Sequence, residues 1–253
     1  MNNLYTSLAE VYEAMYKVFI NYDEEFELYY QLLQKYNCHS VVEIGCGTGN
    51  LAHRFNEQGI IYTGMDISGE MLAIAKKNNP ACSFLQARMQ DFVLAAKVAS
   101  AIITGRTISY LLTNKDVMES LLAIHQNLQT SGIVCFDFID ANKFIPLIGN
   151  DAVVHTVAAG NKQYRRESFW KVNLSQSWAF DWLSVFYEEG KNGHLIKIGE
   201  DESTIRAFTK DEIILFLQLA RFTVKEIFHR PSYAFDTFLV VAEKVDNRNS
   251  LND

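Results

Sequence analysis

The chain has 253 residues, of which 49% are hydrophobic and 21% are charged, a balance typical of a folded globular protein. Its formal net charge of -7 at pH 7 argues against a nucleic-acid partner, because phosphate binding favours a basic surface. No apolar stretch approaches the length of a membrane span and the N-terminus lacks the features of a signal peptide, so we expect a cytoplasmic protein with no membrane partner.

Residues 1–36 carry apolar side chains at spacings of three and four. This spacing predicts two amphipathic helices separated near residues 21–23. Tyrosines recur along both helices, notably Tyr12, Tyr16 and Tyr22. Aromatic residues at helical spacing most often pack against a core, so packing is the simplest interpretation of each tyrosine.

The most informative stretch is residues 41–50, Val-Val-Glu-Ile-Gly-Cys-Gly-Thr-Gly-Asn. Its order predicts a buried strand, a tight turn with three glycines at alternate positions, and a helix from about residue 51. Glycine has no Cβ atom, so a ligand can lie directly against the backbone of such a turn. At the head of the first strand of an α/β sheet, the turn predicts binding of a nucleotide-like molecule. A tight turn that binds nothing is the structural alternative.

The rest of the first half alternates strands and helices. Strands are predicted near 60–66, 83–87, 99–104 and 132–138, and helices near 51–58, 68–79 and 114–128. Ser68 is a suitable N-cap for the second of these helices, which must stop before Pro80. A βαβ series of this kind predicts a mostly parallel sheet covered on both faces.

The pattern changes after residue 141. Residues 142–206 are rich in aromatics at alternating positions, and strands at 177–187 and 194–198 with a turn at 191–193 predict an antiparallel β insertion. Trp170, Trp178 and Trp182 make this insertion either a substrate lid or a contact in a homodimer. A helix from Thr209 and two strands joined by a short turn follow, and so short a turn requires an antiparallel pair.

Two carboxylates complete a nucleotide-binding pattern. Asp66 ends the second strand, where a carboxylate can accept both hydroxyls of a ribose, although helix capping is an alternative. Asp91 follows the third strand at the same edge and could accept from an exocyclic amine, although it is also typical of a turn. The glycine spacing differs from that of the dinucleotide-binding fingerprint. In that fingerprint the third glycine stands three residues after the second, which here would be residue 50, but residue 50 is Asn and the third glycine is Gly49.

With these features, the chain resembles the class I S-adenosylmethionine-dependent methyltransferases over residues 36–140 and 207–243. The matching stretches are Glu-Ile-Gly-Cys-Gly-Thr-Gly at 43–49, Met-Asp-Ile-Ser at 65–68 with Met71, and Met-Gln-Asp-Phe at 89–92. The resemblance implies an α/β fold with a Rossmann-like, seven-stranded, mostly parallel sheet, helices on both faces and a C-terminal antiparallel hairpin. It divides the chain into capping helices (1–36), a cofactor-binding core (37–141 and 207–245), the β insertion (142–206) and a flexible tail (246–253).

The resemblance also implies S-adenosyl-L-methionine as the cofactor. Glu43 and Gly45 would then position its methionine moiety, Asp66 would hold the ribose, and Ile67 would pack on the adenine. The expected cofactor-binding set is Glu43, Gly45, Cys46, Gly47, Gly49, Asp66, Ile67, Met71, Met89, Gln90, Asp91 and Thr104. We expect no metal in this site.

The tyrosine-rich helices and the β insertion resemble small-molecule methyltransferases, and the nearest likeness is to N-methyltransferases of nucleotide-linked amino sugars. Those enzymes often carry a histidine shortly after the fourth strand, where this chain has Tyr110. We therefore expect a small-molecule acceptor with an amine or a hydroxyl group. The catalytic candidates are Tyr12, Tyr22, Arg106 and Tyr110. An NAD(P)-dependent oxidoreductase and a non-catalytic S-adenosylmethionine-binding module are the alternatives.

Overall fold

The computed structural model describes residues 11, 15–16, 18–149, 151–159, 162–175, 178–190, 193–232 and 235–245. The candidate Tyr12, most of the predicted turn at 191–193 and the predicted tail from residue 246 lie outside these described residues. Residues 15–16 and 18–19 are helical, which agrees with the first predicted amphipathic helix. In the part of the chain that the structure describes, no helix is both long enough and apolar enough to cross a membrane.

The first half of the chain alternates helices and strands. Asn21 caps the first complete helix, because its side chain accepts the backbone N–H groups of Asp23 and Glu24 at 3.1 and 3.3 Å. The elements are α1 (Tyr22–Lys35), β1 (Ser40–Ile44), α2 (Ala52–Glu57), β2 (Ile61–Asp66), α3 (Gly69–Asn78), β3 (Ser83–Gln86), β4 (Val98–Ile103), α4 (Asn114–Asn127) and β5 (Leu128–Ile139).

The second half is dominated by strands. Its elements are α5 (Ala141–Phe144), β6 (Val153–Ala159), β7 (Lys162–Asn173), β8 (Ala179–Glu189), β9 (Leu195–Arg206), α6 (Lys210–Leu219), β10 (Phe222–Pro231) and β11 (Asp236–Lys244). The predicted N-cap is confirmed, because Ser68 accepts the Met71 N–H at the start of α3. The predicted helix start at Thr209 is also confirmed, and Thr209 forms a capping box with Glu212 there.

Among the described residues, seven strands form one sheet in the order β10-β11-β5-β4-β1-β2-β3, called here the main sheet. The strands from β3 to β5 in this order are parallel, and β11 is antiparallel to both β5 and β10. The predicted Rossmann-like fold with a C-terminal antiparallel hairpin is therefore confirmed. Strands β2 and β3 lie on one side of β1, and strands β4 and β5 lie on the other, so the direction of the strand order changes at β1. Open α/β sheets bind ligands at the carboxyl ends of the strands at such a point.

Both faces of the main sheet are buried, as expected for parallel strands that helices cover on either side. Alternation along β1 shows the two faces: Val42 and Ile44 join one hydrophobic cluster, and Val41 joins the other. The second cluster includes Tyr29 and Leu33 of α1. Helix α1 therefore packs against the sheet as an integral part of the core.

Within residues 151–206, as far as they are described, β6, β7, β8 and β9 form an antiparallel sheet in chain order, called here the insertion sheet. The predicted pairing of the strands near 177–187 and 194–198 is confirmed by the β8–β9 register. An aromatic cluster joins this sheet to the chain that leaves β5. Its members include Phe144, Phe180, Trp182 and Phe235. The alternating aromatic residues of this segment thus serve a packed interface.

Candidate active site

A cavity of about 540 Å³ lies against the carboxyl ends of the central strands of the main sheet. Its lining combines the start of α1, the glycine-rich turn after β1, the loop after β4, and the ends of β5 and β10. The lining residues are Phe19, Ile20, Asn21, Tyr22, Glu24, Glu25, Leu28, Glu43, Gly45, Cys46, Gly47, Thr48, Asn50, Leu51, Thr104, Gly105, Arg106, Asp137, Arg230 and Ser232. The predicted glycine turn therefore forms part of a real cavity.

The glycine turn (residues 45–49) requires glycine for two different reasons. Gly45 has φ +77°, and a Cβ built there would lie 2.2 Å from Thr107 Oγ1. Gly47 has φ +52°, and a Cβ built there would meet no atom within 4 Å. The first glycine is needed to pack the turn against the loop after β4. The second leaves an open approach to the backbone, which is what a closely bound ligand uses.

Glu43 is the buried carboxylate of this wall, with 3% of its surface exposed. Its Oε2 accepts the Tyr62 hydroxyl at 2.6 Å and its Oε1 accepts the Thr104 hydroxyl at 2.8 Å. Burial raises the pKa of Glu43 to about 7, although both hydrogen bonds act in the opposite direction. Glu43 therefore changes protonation near neutral pH while it lines the cavity.

Asp66 ties the end of β2 to the glycine turn. Its Oδ2 accepts the Gly47 N–H at 2.9 Å, and its Oδ1 accepts the Ser68 N–H at 2.9 Å. Burial raises the pKa of Asp66, and these backbone N–H groups lower it. The Ile67 N–H also lowers the pKa of Asp66 through a hydrogen bond. A carboxylate offers about four acceptor positions, so these three N–H groups leave Asp66 the capacity for one further hydrogen bond.

Asp66 and the other predicted cofactor residues on or after β2 and β3 lie outside the described lining of the cavity. Ile67 follows β2 and is 67% exposed, which leaves its side chain available to a flat ligand. Asp91 is exposed and Gln90 is half-buried after β3, whereas Met71 and Met89 are buried. Strands β2 and β3 are parallel neighbours, so residues that follow them lie at the same edge of the main sheet. Gly49 packs against α3 instead, where Asn79 donates to its carbonyl at 3.1 Å.

The ion-paired wall of the cavity consists of Glu25, Asp137 and Arg230. One Arg230 nitrogen pairs with Glu25 Oε1 and another lies 3.8 Å from Asp137 Oδ2. Burial raises the pKa of Glu25, and the Arg230 charge lowers it. The hydroxyl of Tyr29, fully buried in α1, has no hydrogen-bond partner within the described parts of the chain. This wall is therefore a largely buried, charged contact among α1, β5 and the C-terminal hairpin.

Sequence reasoning missed this wall. The available signal was Asp137, an acid between Phe136 and Phe138 in an otherwise apolar strand. Glu25 and Arg230 are separated by 205 positions in the chain, and neither stands in a recognisable motif. Their pairing depends on the tertiary structure, so a local pattern could not reveal it.

The catalytic candidates are distributed unevenly. Tyr22 and Arg106 line the cavity. Arg106 has a left-handed backbone with φ +61°, its N–H donates to Asp137 at 2.9 Å, and its side chain donates to Ser232 at 2.9 Å. Tyr110 is 38% exposed and is not part of the described lining. The structure thus keeps two of these candidates at the cavity and places Tyr110 outside it.

The insertion tryptophans also lie away from the cavity lining. Trp170 and Trp182 pack against Phe235, with ring centroids 6.2 and 5.7 Å away. Trp178 is 42% exposed. Packing between the insertion sheet and the C-terminal hairpin therefore accounts for two of the three.

Comparison with known proteins gives a match for the region that contains the glycine turn and the loop after β4. Residues 41–132, from β1 through the start of β5, match the family model described as a methyltransferase domain. Residues 41–132 are therefore similar to a methyltransferase domain. This match spans the glycine turn, Asp66 and the segment 89–92, so the resemblance inferred from those residues is confirmed.

The curated relatives match over the same region. A protein of Geobacillus sp. (strain WCH70), classed by name alone as a methyltransferase, is 32% identical over 101 residues, 38% of this chain and 41% of that protein. The dTDP-3-amino-3,4,6-trideoxy-alpha-D-glucopyranose N,N-dimethyltransferase of Streptomyces venezuelae is 26% identical over 95 residues, 38% of this chain and 40% of that protein. The chain spans about two fifths of the length of these curated relatives.

Solved structures extend the likeness of fold beyond the methyltransferase domain. The structure of S-adenosylmethionine-bound CalS10, an amino pentose methyltransferase from Micromonospora echinaspora, superposes with a TM-score of 0.79 and 17% sequence identity. The alignment covers 93% of this chain and 97% of CalS10. The main sheet and the insertion sheet therefore belong to one fold that recurs in solved methyltransferase structures.

Proposed function

We propose that this protein is an S-adenosylmethionine-dependent methyltransferase that methylates a small-molecule acceptor at an amine or hydroxyl group. The observation that carries the proposal is the open glycine turn. Gly47 presents backbone with no atom within 4 Å of where a Cβ would stand, and the turn lines a cavity of about 540 Å³. It lies within the methyltransferase domain at residues 41–132.

The residues present fit the cofactor. Asp66 keeps acceptor capacity for a ribose hydroxyl beside its three backbone hydrogen bonds, and Ile67 offers an exposed apolar side chain to the adenine. Met89 through its backbone and Asp91 through its carboxylate would read the base. The glycine turn with Glu43 and Thr104 would hold the methionine moiety, since these residues line the cavity. When bound, S-adenosylmethionine supplies a methyl group that its sulfonium centre already activates for displacement.

The chain's own residues would then orient the acceptor and exclude water. Correct orientation of two reactants supplies much of the rate in reactions of this kind. Residues 19–22 and the start of α1 line the cavity together with Glu43 of β1 and Asp137 of β5. Tyr22 and Arg106 are the candidates for contact with the acceptor. A carboxylate would be needed to take a proton only from an acceptor that arrives protonated.

An amine is the acceptor class that we expect first. Apart from Glu43, which is assigned to the donor, the described lining holds three carboxylates, Glu24, Glu25 and Asp137, against the guanidinium groups of Arg106 and Arg230. An excess of carboxylates favours a cationic acceptor over an anionic one. The Streptomyces venezuelae relative is named as an N,N-dimethyltransferase of an amino sugar, which supports the same class.

Binding and turnover test the proposal in that order. Calorimetry with S-adenosylhomocysteine should show saturable binding, whereas NADH should not bind; the opposite ranking would favour the oxidoreductase alternative. Methyl-labelled S-adenosylmethionine should then label one or more amines in a panel of small amines and matched alcohols. Binding of S-adenosylhomocysteine without transfer to any member of a broad panel would favour a non-catalytic module.

A further inference from the structure

Arg166 is a guanidinium buried between the insertion sheet and the N-terminal helical segment. It stands on β7 and has 1% of its surface exposed. One nitrogen donates to the Tyr16 hydroxyl at 3.0 Å, and another lies 3.4 Å from His155 Nδ1. Its Cζ lies 5.2 Å from the centroid of the Phe19 ring and 5.6 Å from that of Trp182. Arg166 therefore contacts both sides of the boundary.

The segment that Arg166 holds continues directly into the cavity wall. Phe19 itself lines the cavity, as do Ile20, Asn21 and Tyr22. Asn21 then caps α1 through the N–H groups of Asp23 and Glu24. Displacement of the Phe19 ring would thus move both the lining and the start of the helix that carries Glu24.

None of the described residues in 142–208 lines the cavity. The insertion sheet therefore acts on the cavity through the segment that it supports. Tyr16 belongs to a small cluster with Met15, Val157 and Phe186, in which strands β6 and β8 provide the apolar support. Arg166 adds the directional contacts, since a guanidinium fixes the planes of the rings and the hydroxyl that it meets.

We propose that Arg166 is a positioning residue that couples the insertion sheet to residues 19–22 and so sets how closely this segment covers the bound donor. The inference rests on the proposed function, because it takes the ligand that residues 19–22 cover to be the methyl donor, S-adenosylmethionine. The contacts are effective because they lie in a dry environment, where cation–π and charge-assisted hydrogen bonds are stronger than in water. Tyr16 is not among the described lining residues, so we expect its hydroxyl to affect the cavity indirectly, through Arg166 and the segment.

Arg166→Lys tests the proposal, because lysine keeps the charge and loses the planar group. Arg165→Lys is the matched control: Arg165 neighbours it on β7, its side chain is 36% exposed, and it pairs with Glu167 at 2.6 Å. Hydrogen exchange of the amides of residues 19–22 and calorimetry with S-adenosylhomocysteine supply the two readouts. We expect about tenfold faster exchange and about tenfold weaker binding for Arg166→Lys, the size of one lost charge-assisted hydrogen bond.

The control should stay within about twofold of wild type in both readouts, as is usual for an exposed pair. Unchanged binding by Arg166→Lys, with or without faster exchange, would overturn the proposal. Should that variant fail to fold, Tyr16→Phe keeps the ring and removes only the hydroxyl. Tyr16→Phe should weaken binding about threefold, and unchanged binding would again overturn the proposal. Failure of the wild-type protein to bind S-adenosylhomocysteine would instead refute the proposed function.

Discussion

The glycine turn and the ion-paired wall line the same cavity, but they differ in how the chain builds them. The turn uses consecutive residues, and its shape follows from the positive φ angles of Gly45 and Gly47. The ion-paired wall joins Glu25 of α1, Asp137 of β5 and Arg230 of β10. A local backbone pattern thus provides the wall proposed to bind the donor. Long-range packing provides the wall that we expect to face the acceptor.

The largest effect should come from Gly45→Ala, which tests whether packing alone requires a glycine in the turn. The new Cβ would lie 2.2 Å from Thr107 Oγ1 on a backbone with φ +77°. Left-handed strain and overpacking together should lower the free energy of unfolding by about 4 kcal/mol, as measured by urea denaturation.

Gly59→Ala is the matched control for this prediction. Gly59 has φ +72° and no atom within 4 Å of a built Cβ, so the substitution adds the strain without the clash. It should cost about 1–2 kcal/mol. Equal losses of unfolding free energy in the two variants would show that the close contact with Thr107 does not contribute to the destabilisation of Gly45→Ala.

The next effect should come from Arg230→Met, which removes the cation of the ion-paired wall. Glu25 and the buried Asp137 would lose the partner that they share, and breaking a buried ion pair from one side should cost about 3 kcal/mol. Urea denaturation at neutral pH gives the measurement. Lys225→Met on the same strand removes the more exposed pair with Glu243 and should cost less than about 1 kcal/mol. A loss for Arg230→Met no greater than that of Lys225→Met would mean that the wall does not stabilise the fold.

Glu43→Gln should change the pH dependence of stability. Burial raises the pKa of Glu43 from 4.5 to about 7 in the folded protein. Between these values the folded state binds the proton more strongly than the unfolded state, so this contribution is complete below pH 4.5 and is lost as pH rises through 7. The loss can reach on the order of 3 kcal/mol.

Urea denaturation between pH 5 and pH 8 checks this prediction. The unfolding free energy of wild type should fall relative to that of Glu43→Gln as pH rises. Glu57→Gln, at a side chain that is 57% exposed, should instead follow wild type throughout. Parallel curves for wild type and Glu43→Gln would contradict the account of Glu43.

The smallest effect should come from Tyr110→Phe. Tyr110 is 38% exposed and lies outside the described lining, so methyl transfer should stay within about twofold of wild type. Tyr22→Phe alters a lining residue and should lower the rate about fivefold through a lost hydrogen bond. The measurement is initial rates with the best acceptor of the amine panel. A larger loss of rate for Tyr110→Phe than for Tyr22→Phe would indicate that the acceptor binds near the surface after β4 and not beside Tyr22 in the cavity.

The predictable part of the molecule is the part that local patterns encode. β-Branched runs and glycines predicted the positions of most main-sheet strands along the chain, the N-cap Ser68 predicted one helix start, and another start was predicted at Thr209. Alternation along 177–187 predicted antiparallel pairing. Two strands of the insertion sheet, β6 and β7, were not individually predicted, since charged residues such as Arg165 and Glu167 interrupt the apolar pattern of β7.

The candidate site also combines residues that local sequence patterns predict with residues that only the tertiary structure brings together. The glycine turn was predicted from residue types at fixed spacing, whereas the role expected of Glu43 came from the resemblance to the methyltransferases. Arg166 was not predicted as a site residue, since two adjacent arginines at 165 and 166 give no sign in the sequence that one is buried and the other exposed. Burial and partner choice depend on which strand face meets the N-terminal segment, and that is decided by packing.

Binding of S-adenosylhomocysteine to Gly47→Ala tests the central claim most directly. Gly47 and Gly59 both have positive φ, and neither has an atom within 4 Å of a built Cβ, so the two alanine variants carry the same kind of backbone strain. Only Gly47 lines the cavity. Calorimetry should show binding weakened about a hundredfold in Gly47→Ala, and wild-type affinity in Gly59→Ala. Equal affinities in the two variants would contradict the claim that the glycine turn binds the donor.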